Sequence, residues 1–149
     1  LFFNETFSSV PPLDELHNNI EIKKGNYSIY EISSQTGVKL NDSFFSSFKE
    51  KEYSIEGISK VKKSFTKEAD IVYLRNNKGE KISICFLPKN YEMPECHSSN
   101  KNGITFHCGN KGNCNYVYWK QNKKTIAVVA NTFTSDEIIE MAVPLTKEI

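Results

Sequence analysis

The sequence lacks an apolar run of about 18 residues, the shortest that crosses a bilayer as a helix, so no membrane-spanning helix is expected within it. It also lacks an excess of either charge. Its 19 basic and 18 acidic residues leave a formal net charge of +1. Such a balance offers little counterion release on nucleic acid and little attraction to anionic lipid. Nucleic acid is therefore not an expected partner. There is no C-x-x-C, which argues against a thioredoxin-like redox pair, and no C-x-x-C-H, which argues against covalent haem. Gly109 and Gly112 do not make a phosphate loop, because the lysine and hydroxyl of that loop are missing and no helical pattern follows. No methionine opens the chain. Its first residues, Leu1-Phe2-Phe3, fit the end of a removed signal peptide or transmembrane helix as well as they fit an arbitrary boundary.

What is present reads as globular. The 149 residues are 38% hydrophobic and 25% charged, a composition that suits one folded domain and excludes wholesale disorder. Four cysteines, Cys85, Cys96, Cys108 and Cys114, fall in one stretch. Their spacings are not the C-x2–4-C pairs of structural zinc, so disulfides in an oxidising compartment are the favoured account. Spacing pairs Cys108 with Cys114, across a turn rich in glycine and asparagine, and Cys85 with Cys96. The alternative is a metal site. Cys96-His97 and His107-Cys108 bring together thiolate and imidazole, which suit zinc or copper. The favoured reading expects no cofactor.

Residues 1–25 are polar and broken by Pro11-Pro12, and are expected to be an irregular segment or tether. Leu13, Leu16 and Ile20 nevertheless fall at helical spacing. A single domain is expected over 26–149. Asn26 to Thr36 predicts a helix capped by Asn26 and stopped by Gly37. Phe44, Phe45 and Phe48 are expected in the core. Alternation from Tyr53 to Lys63 predicts a strand, with Gly57 marking a bulge. Asp70–Arg75 and Lys81–Leu87 form a hairpin about Asn76-Asn77-Lys78-Gly79. Residues 89–103 read as a polar loop. Gly103–Cys108, Cys114–Lys120 and Thr125–Ala130 then form an antiparallel meander. Thr134 and Glu137 make a capping box for a helix whose Ile138, Ile139, Met141, Ala142 and Leu145 share an apolar face. The expected fold class is α+β: a mostly antiparallel sheet of five or six strands with the C-terminal helix packed on one face.

Catalytic candidates are few. A Cys–His hydrolase needs one reactive thiolate, an orienting partner and an oxyanion hole. The spare cysteines and the missing strand-to-helix nucleophile turn make a small hydrolase the third reading. His17 lies in the irregular N-terminal region and carries no role. Tyr116, Tyr118 and Trp119 are assigned to core packing, since no basic excess accompanies them.

One stretch resembles a known family. The hairpin within Ala69–Pro88 leads to Asn115-Tyr116-Val117-Tyr118-Trp119, a polar turn, an apolar strand, and the capped helix Ser135-Asp136-Glu137-Ile138-Ile139-Glu140-Met141-Ala142. The pattern is similar to the extracytoplasmic domain of bacterial membrane-bound anti-sigma factors and related single-pass regulators, and covers about residues 26–149. The sigma-binding part with its His and Cys ligands is not in this sequence, and the four cysteines are no hallmark of that family. The resemblance therefore implies a sensing or partner-binding half, not anti-sigma activity. The expected function is a non-catalytic exported sensory or interaction domain. It would act in the periplasm or at the cell surface on a protein, peptide or small ligand, and touch the membrane only through a segment before Leu1. The alternative is a periplasmic metal-binding sensor using Cys96, His97, His107 and Cys108.

Overall fold

The computed structural model describes residues 11–18, 21–40, 43, 45–63, 66–91, 93–95 and 97–146, with the backbone alone at 62, 63 and 66–68. Among the described residues the chain runs α1 (Leu13–His17), β1 (Lys23–Lys24), α2 (Ile29–Thr36), α3 (Ser46–Lys49), β2 (Ser54–Lys63), β3 (Thr66–Arg75) and β4 (Lys81–Leu87). It continues through β5 (His97–Lys101), β6 (Ile104–Lys111), β7 (Cys114–Gln121), β8 (Lys124–Ala130) and α4 (Ser135–Ala142), and closes on a 3-10 turn at Val143–Thr146. The strands form one eight-stranded sheet in the order β1-β2-β3-β4-β8-β7-β6-β5. Every pairing is antiparallel. Two meanders thus meet at the centre, where β4 pairs with β8 and Ile84 sits opposite Val128.

The central strands show why the sheet is covered on both sides. Lys-Ile-Ser-Ile-Cys-Phe-Leu of β4 and Lys-Thr-Ile-Ala-Val-Val-Ala of β8 are buried at every position after the first. A sheet with one wet face would alternate instead. Ile82, Ile84 and Phe86 of β4 join Val117, Trp119, Ile126 and Val128 in the core beneath α2, α3 and α4. The residues between them, Cys85 and Leu87, join Tyr73, Tyr116, Tyr118, Ala127 and Val129 in a second core on the other face. Leu13 and Leu16 of α1 and Tyr91 of the β4–β5 connection close that second core.

The local signals at the helix ends hold well. Thr134 and Glu137 form the reciprocal capping box at the head of α4. Ile138, Ile139, Met141, Ala142 and Leu145 are buried, and α4 packs on β6, β7 and β8. Gly37 adopts φ 74° at the end of α2, the left-handed stop that glycine favours. The cap at the other end is Ser28, boxed with Glu31, in place of Asn26. The bulge falls between Ile55 and Gly57, as the break in alternation implied. Phe45 and Phe48 are buried, while Phe44 lies outside the described residues.

Two expectations are corrected. The sheet has eight strands, not five or six, because two short polar edge strands join it: Lys23–Lys24 and His97-Ser98-Ser99-Asn100-Lys101. An edge strand needs only backbone partners on one side, so its side chains carry no apolar alternation. Gly25 is also no boundary for the described part of the N-terminal segment. Leu13 and Leu16 are core residues, and β1 is a strand of the sheet.

Candidate functional site

Among the described residues, the cysteines and histidines singled out from sequence do not converge. Cys108 faces the core under α4 and Cys114 faces the opposite core, so the strand pleat itself keeps their side chains on different faces. No disulfide joins Cys85, Cys108 and Cys114, and the Cys108–Cys114 bond expected from spacing is overturned. The loop between them is shorter than it reads in sequence, because Gly109–Lys111 continue β6. The expected Cys85–Cys96 bond involves Cys96, which lies outside the described residues. Burial pushes the Cys85 thiol far above its ordinary range and keeps it protonated and unreactive.

The metal alternative also calls on Cys96, outside the described residues, so His97, His107 and Cys108 alone can be placed. His97 stands opposite Cys108 across β5 and β6, so both belong to one face. His107 belongs to the other, where its ring stacks on Tyr118 with centroids 4.9 Å apart. Its Nδ1 donates to Glu95 Oε2 at 2.5 Å. Among the described residues no three His, Cys, Asp or Glu side chains gather closely enough to hold a metal. The role of His107 is to pin the β4–β5 connection to the sheet. Tyr116, whose hydroxyl donates to the Pro94 carbonyl, and Tyr118, which donates to Met93 O at 2.9 Å, do the same. Gly109 makes room for this. A Cβ there would lie 2.6 Å from the Tyr116 hydroxyl oxygen.

A pocket opens elsewhere, at the outer edge of β2. β1 pairs only with Gly57 and Ile58, while β2 runs on to Lys63. Where β1 leaves the edge, Glu21, Lys23, Gln35, Ile58, Ser59 and Lys60 enclose about 390 Å³. That volume lies within the ~300–1,000 Å³ typical of small-ligand sites. A narrow crevice continues inward past Gln35 and Ile58 to Ile32, Thr36 and Val72. Gly57 sets the outer wall. A Cβ at that position would meet Ile22 Cγ2 and Lys23 O at 2.6 Å, so only glycine lets the β1 backbone approach so closely. Among the described residues, the wall includes the ammonium groups of Lys23 and Lys60, the Glu21 carboxylate, the Gln35 amide and the aliphatic Ile58, with Ser59 of β2 between them. Such a set can orient an anionic or zwitterionic molecule by charge and hydrogen bonding. Sequence reading missed it, because its walls come from the N-terminal segment, α2 and β2, and Gly57 was the one residue that signalled a close approach.

A second arrangement was also missed. His17 is 1% exposed, held between Ser83 Oγ, 2.6 Å from Nδ1, and Asn131 Oδ1, 2.6 Å from Nε2. Asn131 turns its amide nitrogen to Asn113 O at 3.2 Å and towards the Cys114 sulfur. That leaves Oδ1 as the acceptor, which sets Nε2–H as donor and Nδ1 as acceptor of the Ser83 hydroxyl proton. The chain of serine, imidazole and amide resembles a hydrolytic relay in composition only. Ser83 is fully buried at the centre of the sheet, where no substrate reaches it.

No protein-family model, curated protein sequence or solved structure matches this chain.

Proposed function

We propose that the chain is a non-catalytic recognition domain of a membrane-tethered regulator, exported and anchored through its N-terminal side. It takes a small anionic or zwitterionic ligand, or the acidic end of a peptide, in the pocket between β1, β2 and α2. The observation that carries this reading is the composition of the pocket wall. Among the described residues of the wall, Lys23 and Lys60 stand with Glu21, and Asp70 of the adjoining crevice pairs in register with Lys60, so charges of both signs meet beside the Gln35 amide and an aliphatic floor at Ile58. Recognition is the natural use of such a site, because it offers charge and hydrogen bonds without a nucleophile–base pair. Glu21 and Lys23 follow α1 closely in the chain, so a ligand held there bears on the segment that leads to the N-terminus. This supports a relay towards a tether. Export and tethering rest on the resemblance of about residues 26–149 to the extracytoplasmic domains of membrane-bound anti-sigma factors and related single-pass regulators. The described cysteines lend export no support, since they form no disulfide.

Calorimetry with a panel of free amino acids and acidic dipeptides tests the reading. At least one compound should bind, and Lys60→Glu should weaken it by about tenfold or more, the effect of removing one close charge partner and adding a repulsive one. A panel without a binder, or a binder indifferent to Lys60→Glu, rejects the pocket as the recognition site.

A further inference from the structure

We propose that His17 is a proton-operated clasp: charging its ring frees α1 from the sheet while the strands beneath stay folded, so that acid releases the N-terminal segment. The proposal goes beyond the pocket and stands whether or not the pocket takes a ligand.

The geometry makes α1 dependent on this residue. The helix has five residues, begins after Pro12 and has no side-chain cap at its start. So short a helix does not persist alone in water. It is held by Leu13 and Leu16 in the second core, by the Tyr73 hydroxyl donating to Leu16 O at 2.7 Å, and by the two hydrogen bonds of His17. The Tyr91 hydroxyl donates to Pro11 O at 3.2 Å just before it. His17 is the one among these whose charge changes in mild acid.

The neutral ring satisfies both neighbours. A second N–H on the ring would point at Ser83 Oγ, whose own proton must then find another acceptor in a site without solvent. The surrounding charges oppose the proton as well. Lys81 on β4 and Arg75 on β3 both disfavour it, and burial disfavours it most, against the Asn131 hydrogen bond, which favours it. Asp14 and Glu15 sit on α1 itself, and β7 presents the Cys114 thiol. Tyr73, Cys85, Tyr91, Tyr116 and Tyr118 lie on this face as well and are uncharged in mild acid, and His107 is paired with Glu95 further along it. From β8, Ala127 and Val129 face α1 in this second core. The docked ring therefore titrates below its ordinary range and the released ring within it. Docking is complete above about pH 6.5 and is lost as pH falls below it, because the released state binds the proton that the docked state refuses.

Hydrogen exchange of the full chain at about pH 7.5 and about pH 5, corrected for intrinsic exchange, reads this directly. A released ring of ordinary pKa, about 6.5, bounds the rise in opening of residues 12–18 at about thirtyfold across that interval, reached where the docked ring takes up no proton. The expected result is such a rise in α1, unchanged protection in β7 and β8, and no rise in His17→Gln. His107→Gln should respond like the parent chain. A rise under about threefold, simultaneous loss of protection in β7 and β8, or an unaltered response in His17→Gln overturns the proposal. Should His17→Gln not fold, the ring titration of His17 in the parent chain decides. A pKa below the ordinary value upholds the clasp, and one at or above it rejects it.

Discussion

His17 Nε2 and Asn131 Oδ1 lie 2.6 Å apart across 114 positions of sequence, and that contact ties the first described helix to the end of β8. It joins the N-terminal segment to the most buried strand pair in the molecule. Burial holds the histidine neutral, and the uncharged amide of Asn131 opposes that too weakly to reverse it.

Asn131→Asp is the informative substitution there. A carboxylate in place of the amide favours the charged ring and raises the His17 pKa above its ordinary value of about 6.5. The pH dependence then reverses. In the parent chain the contribution of His17 to stability is present above about pH 6.5 and lost as pH falls. In Asn131→Asp it is present below that pH and lost as pH rises through the new folded value. Melting temperatures of both proteins from about pH 5 to about pH 8 should diverge in slope, and parallel curves contradict the assignment. Ser83→Ala should cost about 1–3 kcal/mol at neutral pH, because it strands the buried Nδ1 acceptor.

Ile138 is fully buried where α4 meets the sheet. Ile138→Asp places an unpaired carboxyl in that core and should destabilise the fold by more than about 4 kcal/mol, enough to unfold a marginal domain. Circular dichroism and a melting curve identical to the parent's would show that α4 does not pack there.

Cys85, Cys108 and Cys114 are all at most 1% exposed and share no disulfide. Alkylation of the native protein should leave these three unmodified, and alkylation after unfolding without reductant should label them unless Cys96 has engaged one. Burial raises the thiol pKa of both Cys85 and Cys114, which slows the native reaction further. A peptide linking Cys108 to Cys114 contradicts the assignment of these residues to opposite faces.

The parts of the fold legible in the sequence are those whose causes are local. Thr134 and Glu137 announce α4 because a capping box closes within one turn. Asn76–Gly79 announces its hairpin because Gly79 takes φ 83°. β4 and β8 announce themselves because both faces of each are covered. β5 does not, since His97–Lys101 is held by its backbone and its side chains are nearly all exposed. Gly109 was read as a turn residue, yet its position is set by the Tyr116 ring crossing above it. The histidine clasp was illegible for a similar reason. Ser83 of β4 and Asn131, just past the end of β8, reach His17 from far along the chain, and nothing in the sequence around residue 17 names them. His107 and Cys108 misled because adjacent residues on a strand point to opposite faces, so these neighbours in sequence are not neighbours in space.

The recognition account is tested most directly by mapping amide chemical shifts during titration with whichever acidic dipeptide or amino acid binds in calorimetry. The account predicts shifts confined to Lys23, Gln35, Ile58, Ser59 and Lys60, and their loss in Gly57→Val, whose side chain would displace the β1 wall that Ile22 and Lys23 form. Shifts centred on the β5–β6 edge, or a titration unchanged by Gly57→Val, would contradict it.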